Sequence, residues 1–330
     1  MRIISNRWVR VAAKLTLAAA LLMWMMTSGR LDLSRLAQAT AHWPLLLAIV
    51  TIYYVEIYVM AWRWNLLLGA QGLQLSLQQA FSLTMIGSLF NVMIPGMVGG
   101  DVVRGYYIGR RAAGRMPEAL ATILMDRVVG LLGLAVLAAG AAIWNFRMIT
   151  ESRILELLCL FAIVVAAAGA IGLVLTVAAG GRATILDRWG ASRWVTSLMK
   201  AIGTLTPYRQ NPRLLTTALS ASVFNQVLSC LAFYLAMQAL EQPLIPWGYF
   251  FLLVPLGLMM TALPISPAGV GVGQATFFTL FGIIPGSSGK MGANAFTVLQ
   301  LLLIVVYLTG LYSYLTYKHT MGEEIPTTPS

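Results

Sequence analysis

Residues Asn91-Val-Met-Ile-Pro95-Gly96-Met-Val-Gly99-Gly100-Asp101-Val-Val-Arg104 interrupt a chain that is otherwise strongly hydrophobic. A helix in lipid must satisfy its own backbone, so a Pro/Gly break carrying charge is tolerated only where protein or water replaces hydrocarbon. The stretch therefore marks a polar site or pathway inside a membrane. A second break, Leu263-Pro264-Ile-Ser266-Pro267-Ala-Gly269-Val-Gly271-Val-Gly273-Gln274, has the same character.

The remaining sequence supplies the membrane setting. Hydrophobic residues make up 59% of the 330 residues and Asp, Glu, Lys and Arg 10%, against about 25% charged in a soluble domain. This composition predicts an all-α polytopic membrane protein. Stretches near 11–28, 44–62, 119–145, 154–178, 214–240 and 295–316 approach or exceed the ~20 apolar residues that a span needs, which makes about six full spans. The longest polar interval, roughly 180–213, is shorter than the ~50 residues at which domains begin, so residues 1–330 read as one integral membrane domain. Its end, about 320–330, with two prolines and two acids, reads as a disordered tail.

The net charge of +11 follows topology and does not indicate a nucleic-acid partner. With the N-terminus cytoplasmic, most of the 22 basic residues fall on inside segments, Arg63, Arg104, Arg110 and Arg111 among them. This is the positive-inside bias of a cytoplasmic membrane of bacterial type, with both termini inside. The basic start and Ala39-Thr-Ala41 imitate a signal peptide and its cleavage site. That site lies well beyond the apolar run, so an uncleaved first span is expected. Cys159 and Cys230 lie in apolar spans and read as small buried hydrophobes. His42 and His319 are near opposite ends of the chain, so neither a metal site nor a cofactor is expected.

Followed span by span, the charges force two hairpins. If the second span ends inside at Arg63 and the segment 104–115 is also inside, then residues 76–101 must dip into the membrane and return. If Lys318 closes the last span inside, the pair of apolar stretches within 249–284 begins and ends outside. Two oppositely oriented re-entrant helical hairpins follow, with bends at Pro95 and Gly96 and at Pro264 and Pro267. Their placement suggests an inverted repeat of the transporter type; two unrelated kinks are the alternative.

Arg63-Trp64, the first break through Arg104, Asp126-Arg127-x-x-Gly130 and the second break together resemble the lysylphosphatidylglycerol synthase transmembrane, or flippase-like, family over nearly the whole chain. The resemblance implies a membrane domain that moves lipids: aminoacylated phosphatidylglycerol in the synthases, lipid-linked sugars, hopanoids or other lipids in stand-alone members. With 330 residues there is no room for the soluble aminoacyl-transfer domain, so a stand-alone member is expected. The family pattern places a Glu shortly after the second break, where this chain has Gln274; if that acid serves ion coupling in relatives, coupling here is in question.

The candidate headgroup-binding residues are Asn91, Gly99, Gly100, Asp101, Arg104, Asp126, Arg127, Glu56, Ser266, Gly269, Gly271 and Gln274. Asp101 could cap the helix that follows Gly100, while that helix end and Arg104 would meet a phosphate. Arg104 as an ordinary interfacial charge is the alternative. Asp126 and Arg127 sit inside a span, where a charge costs ~2.5–3.5 kcal/mol, so each needs a partner. Neighbours on a helix point about 100° apart, which sends Arg127 to Asp101 or a lipid phosphate. Glu56, the deepest acid, could pair with Arg127, exchange a proton or contact an ammonium group. Trp43, Trp62, Trp64 and Trp247 read as an aromatic belt.

The reading these residues favour is translocation of an anionic or isoprenoid-linked lipid, its headgroup carried through a polar groove between the hairpins, with membrane phospholipid or a lipid-linked substrate as partner. A lipid-carrier transferase, a secondary transporter of a small anion and an accessory subunit are the alternatives. A non-enzymatic role is preferred, and a homo-oligomer stays open. No G-x-x-x-x-G-K-[ST] loop occurs, which argues against direct use of ATP.

Overall fold

The computed structural model describes residues 37–93, 99–111, 115–150, 152–178, 206–209, 211–243, 245–262 and 269–323, with isolated positions 16, 23 and 27. The first predicted span, Pro95, Gly96, Pro264, Ser266, Pro267 and the tail from 324 lie outside the described residues. Among the described residues the structure is helical, with no strand. A 3-10 turn, Ala39–His42, leads into α1, Trp43–Ala70. Then come α2 (Leu77–Met93), α3 (Gly99–Arg111), α4 (Met116–Trp144), α5 (Phe146–Thr150), α6 (Arg153–Ala178), α7 (Thr206–Arg209), α8 (Pro212–Ala239), α9 (Trp247–Thr261), α10 (Val272–Gly282), α11 (Gly289–Leu308) and α12 (Gly310–Glu323).

The long helices begin where the sequence supplies start signals. Pro44, Pro117 and Pro212 stand in the first turns of α1, α4 and α8, where the missing N–H costs nothing. Asn211 caps α8 by accepting from Leu214 N at 3.2 Å. Ser288 opens α11, its Oγ accepting from Lys290 N. Among the described residues, four helical stretches are long and apolar enough to cross a membrane: Ala39–Ala70, Met116–Trp144, Pro212–Ala239 and Gly289–Tyr317. α6 occupies the stretch predicted as the fourth span. α1 runs to Ala70, beyond the predicted end near 62, because Leu66, Leu67 and Leu68 continue its apolar run; Leu67 and Leu68 are fully buried.

α2 and α3, on either side of the first break, lie against each other. Asn91 Oδ1 accepts from Gly100 N at 2.9 Å, and a Cβ on Gly100 would collide with the carbonyl of Gly87. Trp64, Leu68, Leu83, Ile86, Ile108, Ile123 and Tyr317 form the core that holds this pair. α9 and α10 flank the second break in the same manner, with Phe277 on Gly257. Phe233 stacks on Phe281 at 5.2 Å and Phe277 on Phe296 at 4.8 Å, tying that pair to α8 and α11. Gly271 precedes α10 with φ 79°, a left-handed conformation that disfavours any side chain.

The Gly87–Gly100 contact carries a test. Gly100→Ala pushes a methyl into backbone, so it should cost about 1–3 kcal/mol of stability, read as a lowered thermal midpoint of the detergent-solubilised protein. An unchanged midpoint would show that α2 and α3 do not approach this closely.

Candidate functional site, a charged cavity among apolar helices

Asp126 lies about three turns into α4 and is 3% exposed. Its Oδ1 accepts from Arg63 Nε at 2.9 Å, and its carbonyl accepts from Arg63 Nη2 at 3.3 Å. Arg63 Nη1 also donates to Ser222 Oγ on α8. The second carboxylate oxygen faces Arg104 from α3, with both Nη1 and Nη2 at 3.5 Å. The Arg104 guanidinium lies 3.8 Å over the Trp64 ring, whose Nε1 donates to Thr122 Oγ1. Asp101 Oδ2 accepts from Arg127 Nε at 2.8 Å, while Arg104 Nη1 is 3.8 Å from Asp101 Oδ1.

Among the described residues, three guanidiniums thus face two carboxylates, leaving one positive charge in excess. Arg104 is the least satisfied of the three. Its contacts to Asp126 are long, and its Nε is buried with no partner among the described residues. Asn225 Oδ1 on α8 is likewise buried without a donor. These groups border a cavity of about 270 Å³ lined by Arg63, Ser88, Asn91, Gly100, Asp101, Arg104, Asp126, Arg127, Gly130, Asn225, Gln226, Ala262 and Tyr307, among others. Asn91 and Gly100 adjoin the first break and Ala262 the second, so the cavity touches the helices at both.

Of the residues singled out from the sequence, Asn91, Gly100, Asp101, Arg104, Asp126 and Arg127 meet at this cavity. Gly99 is buried next to it in the first turn of α3. Asp101 is not the residue before the helix: α3 already begins at Gly99, and it is Asn91 that accepts from Gly100 N. Arg127 pairs with Asp101, one of its two expected partners. Glu56 does not pair with Arg127. It lines a separate chamber of about 220 Å³ with Tyr53, Ser229, Thr261, Gln300 and Tyr307, where Ser229 Oγ donates to its carboxylate at 2.6 Å.

Gly269, Gly271 and Gln274 line neither cavity. Gln274 is buried, accepting from Gly271 N at 2.7 Å and donating to Gln300 Oε1 at 2.7 Å, which secures the start of α10. Ser266, Pro264, Pro267, Pro95 and Gly96 fall outside the described residues.

Two residues of the site have roles that sequence reasoning assigned elsewhere. Arg63 is no inside-facing surface charge; it is buried and holds Asp126. Trp64 is not part of an interfacial belt but fully buried beneath Arg104, whereas Trp43 and Trp247 remain exposed near helix starts. The spacing Ser222, Asn225, Ser229 places three polar groups on one face of α8, a signal present in the sequence.

The fold and this cluster define a class: a multi-pass helical membrane protein with a charged cavity between its helices. Residues 11–310 match the lysylphosphatidylglycerol synthase TM region, and the chain belongs to that family. Membership relates it to lipid modification or flipping in a membrane. No curated protein and no solved structure matches the chain significantly.

Because both arginines depend on it, Asp126→Asn strands two buried cations and should cost about 3–5 kcal/mol. Asp101→Asn, at a more exposed carboxylate, should cost clearly less. Thermal unfolding of the two variants in detergent compares them; equal midpoints would remove Asp126 from the centre of the cluster.

Proposed function

We propose that the chain translocates an anionic lipid, phospholipid or isoprenoid-linked, between leaflets, with its phosphate passing through the Arg104 cavity. The observation that carries this reading is the surplus guanidinium charge facing a cavity between the helices, with Arg104 Nε left unpartnered among the described residues. A lipid phosphate supplies what is missing: an anion that accepts charge-assisted hydrogen bonds. The acyl chains would stay in the bilayer while the headgroup uses the cavity.

In this reading the helix pairs α2–α3 and α9–α10 are re-entrant hairpins that enter from opposite faces. The break residues act as hinges, and rocking of one half against the other exposes the cavity alternately. Contact of the cavity with helices flanking both breaks supports this arrangement. Asn91, Gly99, Gly100 and Asp101 would shape the phosphate site, and Ser266, Gly269, Gly271 and Gln274 the opposing turn. Asp101 and Asp126 are both engaged by arginines, and an engaged carboxylate is a poor general base; Glu56 lines a chamber separate from the phosphate site, so translocation is favoured over group transfer. The setting is a cytoplasmic membrane of bacterial type with both termini inside.

Arg104→Gln separates function from folding, because Asp126 keeps its pair with Arg63. Wild-type protein in liposomes should speed leaflet exchange of a labelled anionic phospholipid. The variant should lose about tenfold to a hundredfold of that rate, corresponding to a charge-assisted contact of about 1.5–3 kcal/mol. No acceleration by the wild type, or equal rates for the two, would contradict the proposal.

A further inference from the structure

Glu56 and the arginine cluster share two helices. Seven residues separate Glu56 from Arg63 on α1, about 10 Å along the axis, and on α8 the same interval separates Ser229 from Ser222. Tyr307 lines both chambers. The Glu56 chamber is mostly apolar, walled by Phe233, Leu258, Leu299 and Leu303. The carboxylate has one side-chain donor, Ser229, and no basic partner among the described residues. Tyr53 on its own helix, Cys230 on α8 and Tyr307 on α11 are the titratable groups in electrostatic reach. α9 offers only Thr261 and apolar side chains, and Arg127 on α4 acts from beyond Tyr307.

An ionised carboxylate in such a chamber is costly unless a cation compensates it. The basic residue on the same helix, Arg63, belongs to the cluster that lines the neighbouring cavity, and an anion bound there would cancel the surplus positive charge of that cluster. Resting on the anion-site reading above, we infer that Glu56 is a proton-binding site linked to that cavity: an anionic lipid headgroup and a proton bind cooperatively. When the phosphate arrives, the Glu56 carboxylate takes a proton from water and becomes a neutral acid. When the phosphate leaves, the proton returns to water. Linkage is reciprocal, so protonation strengthens anion binding by the factor by which the anion strengthens protonation. Anion affinity is therefore highest at low pH and falls as pH rises through the titration of Glu56. Lipid and proton would move together, which gives a proton gradient a way to drive the lipid.

The test uses the full chain in weakly buffered detergent with a pH-indicator dye, titrated with short-chain phosphatidylglycerol, a phosphodiester that stays ionised over the series of pH values sampled. The expected result is proton uptake accompanying lipid binding at some pH in the series, approaching one proton per lipid, and affinity that weakens as pH rises. Glu56→Gln should abolish the uptake at saturating lipid, whatever affinity it keeps. If that variant does not fold, the wild type alone decides. Lipid binding with no proton uptake and no pH dependence at any pH overturns this inference and leaves the anion site standing. No lipid binding at all overturns both.

Discussion

The pairing of Asp126 with Arg63 and Arg104 is the constraint on which the arrangement rests. A buried carboxylate is expensive to desolvate, and a buried guanidinium is no cheaper; neither persists without its partner. Here one carboxylate spreads its two oxygens over arginines from different helices, and Arg63 reaches on to Ser222. α1, α3, α4 and α8 are thereby held in a fixed relation that apolar packing alone, which is tolerant of sliding in lipid, would not specify. Trp64 completes the arrangement by offering its ring face to Arg104 and its N–H to Thr122.

That pairing is also unequal, and the inequality is where chemistry enters. Arg63 makes three hydrogen bonds, to Asp126 and Ser222, whereas Arg104 is held at 3.5 Å or more and, among the described residues, keeps a buried N–H unmet. Asp101 and Arg127 satisfy each other alongside. The cluster is thus closely hydrogen-bonded between α1 and α4 and, among the described residues, one anion short on the cavity side. On the proposed reading such a site would favour a phosphate over a neutral headgroup, in keeping with the lipid-handling family to which the chain belongs.

Much of this was legible in the sequence. Apolar runs located the helices α4, α6 and α8 closely and fell on α1 and α11 with ends displaced by up to two turns, since in lipid the backbone leaves helix as the main option. The first break announced the site because Asn91, Gly100, Asp101 and Arg104 have no reason to interrupt an apolar run unless something polar meets them. The demand that Arg127 find a partner across space led to Asp101. Arg63 was misplaced for a physical reason: an Arg-Trp pair near the end of an apolar run has the same composition whether it meets headgroups or a buried acid. Only the continuation of α1 through Leu68 places it inside. The Ser222–Asn225–Ser229 face was readable from its spacing, but isolated small polar residues are common in spans and rarely signal a wall of a cavity.

The central claim is that the Arg104 cavity holds a lipid phosphate. The most direct measurement is an experimental structure of the protein in nanodiscs containing phosphatidylglycerol. The account predicts headgroup density within hydrogen-bond distance of Arg104 Nε, between Asn91 and Asn225, with acyl density leading outward between helices. A cavity holding only water, with Arg104 Nε bonded to a protein group and every ordered lipid confined to the outer surface, would contradict it.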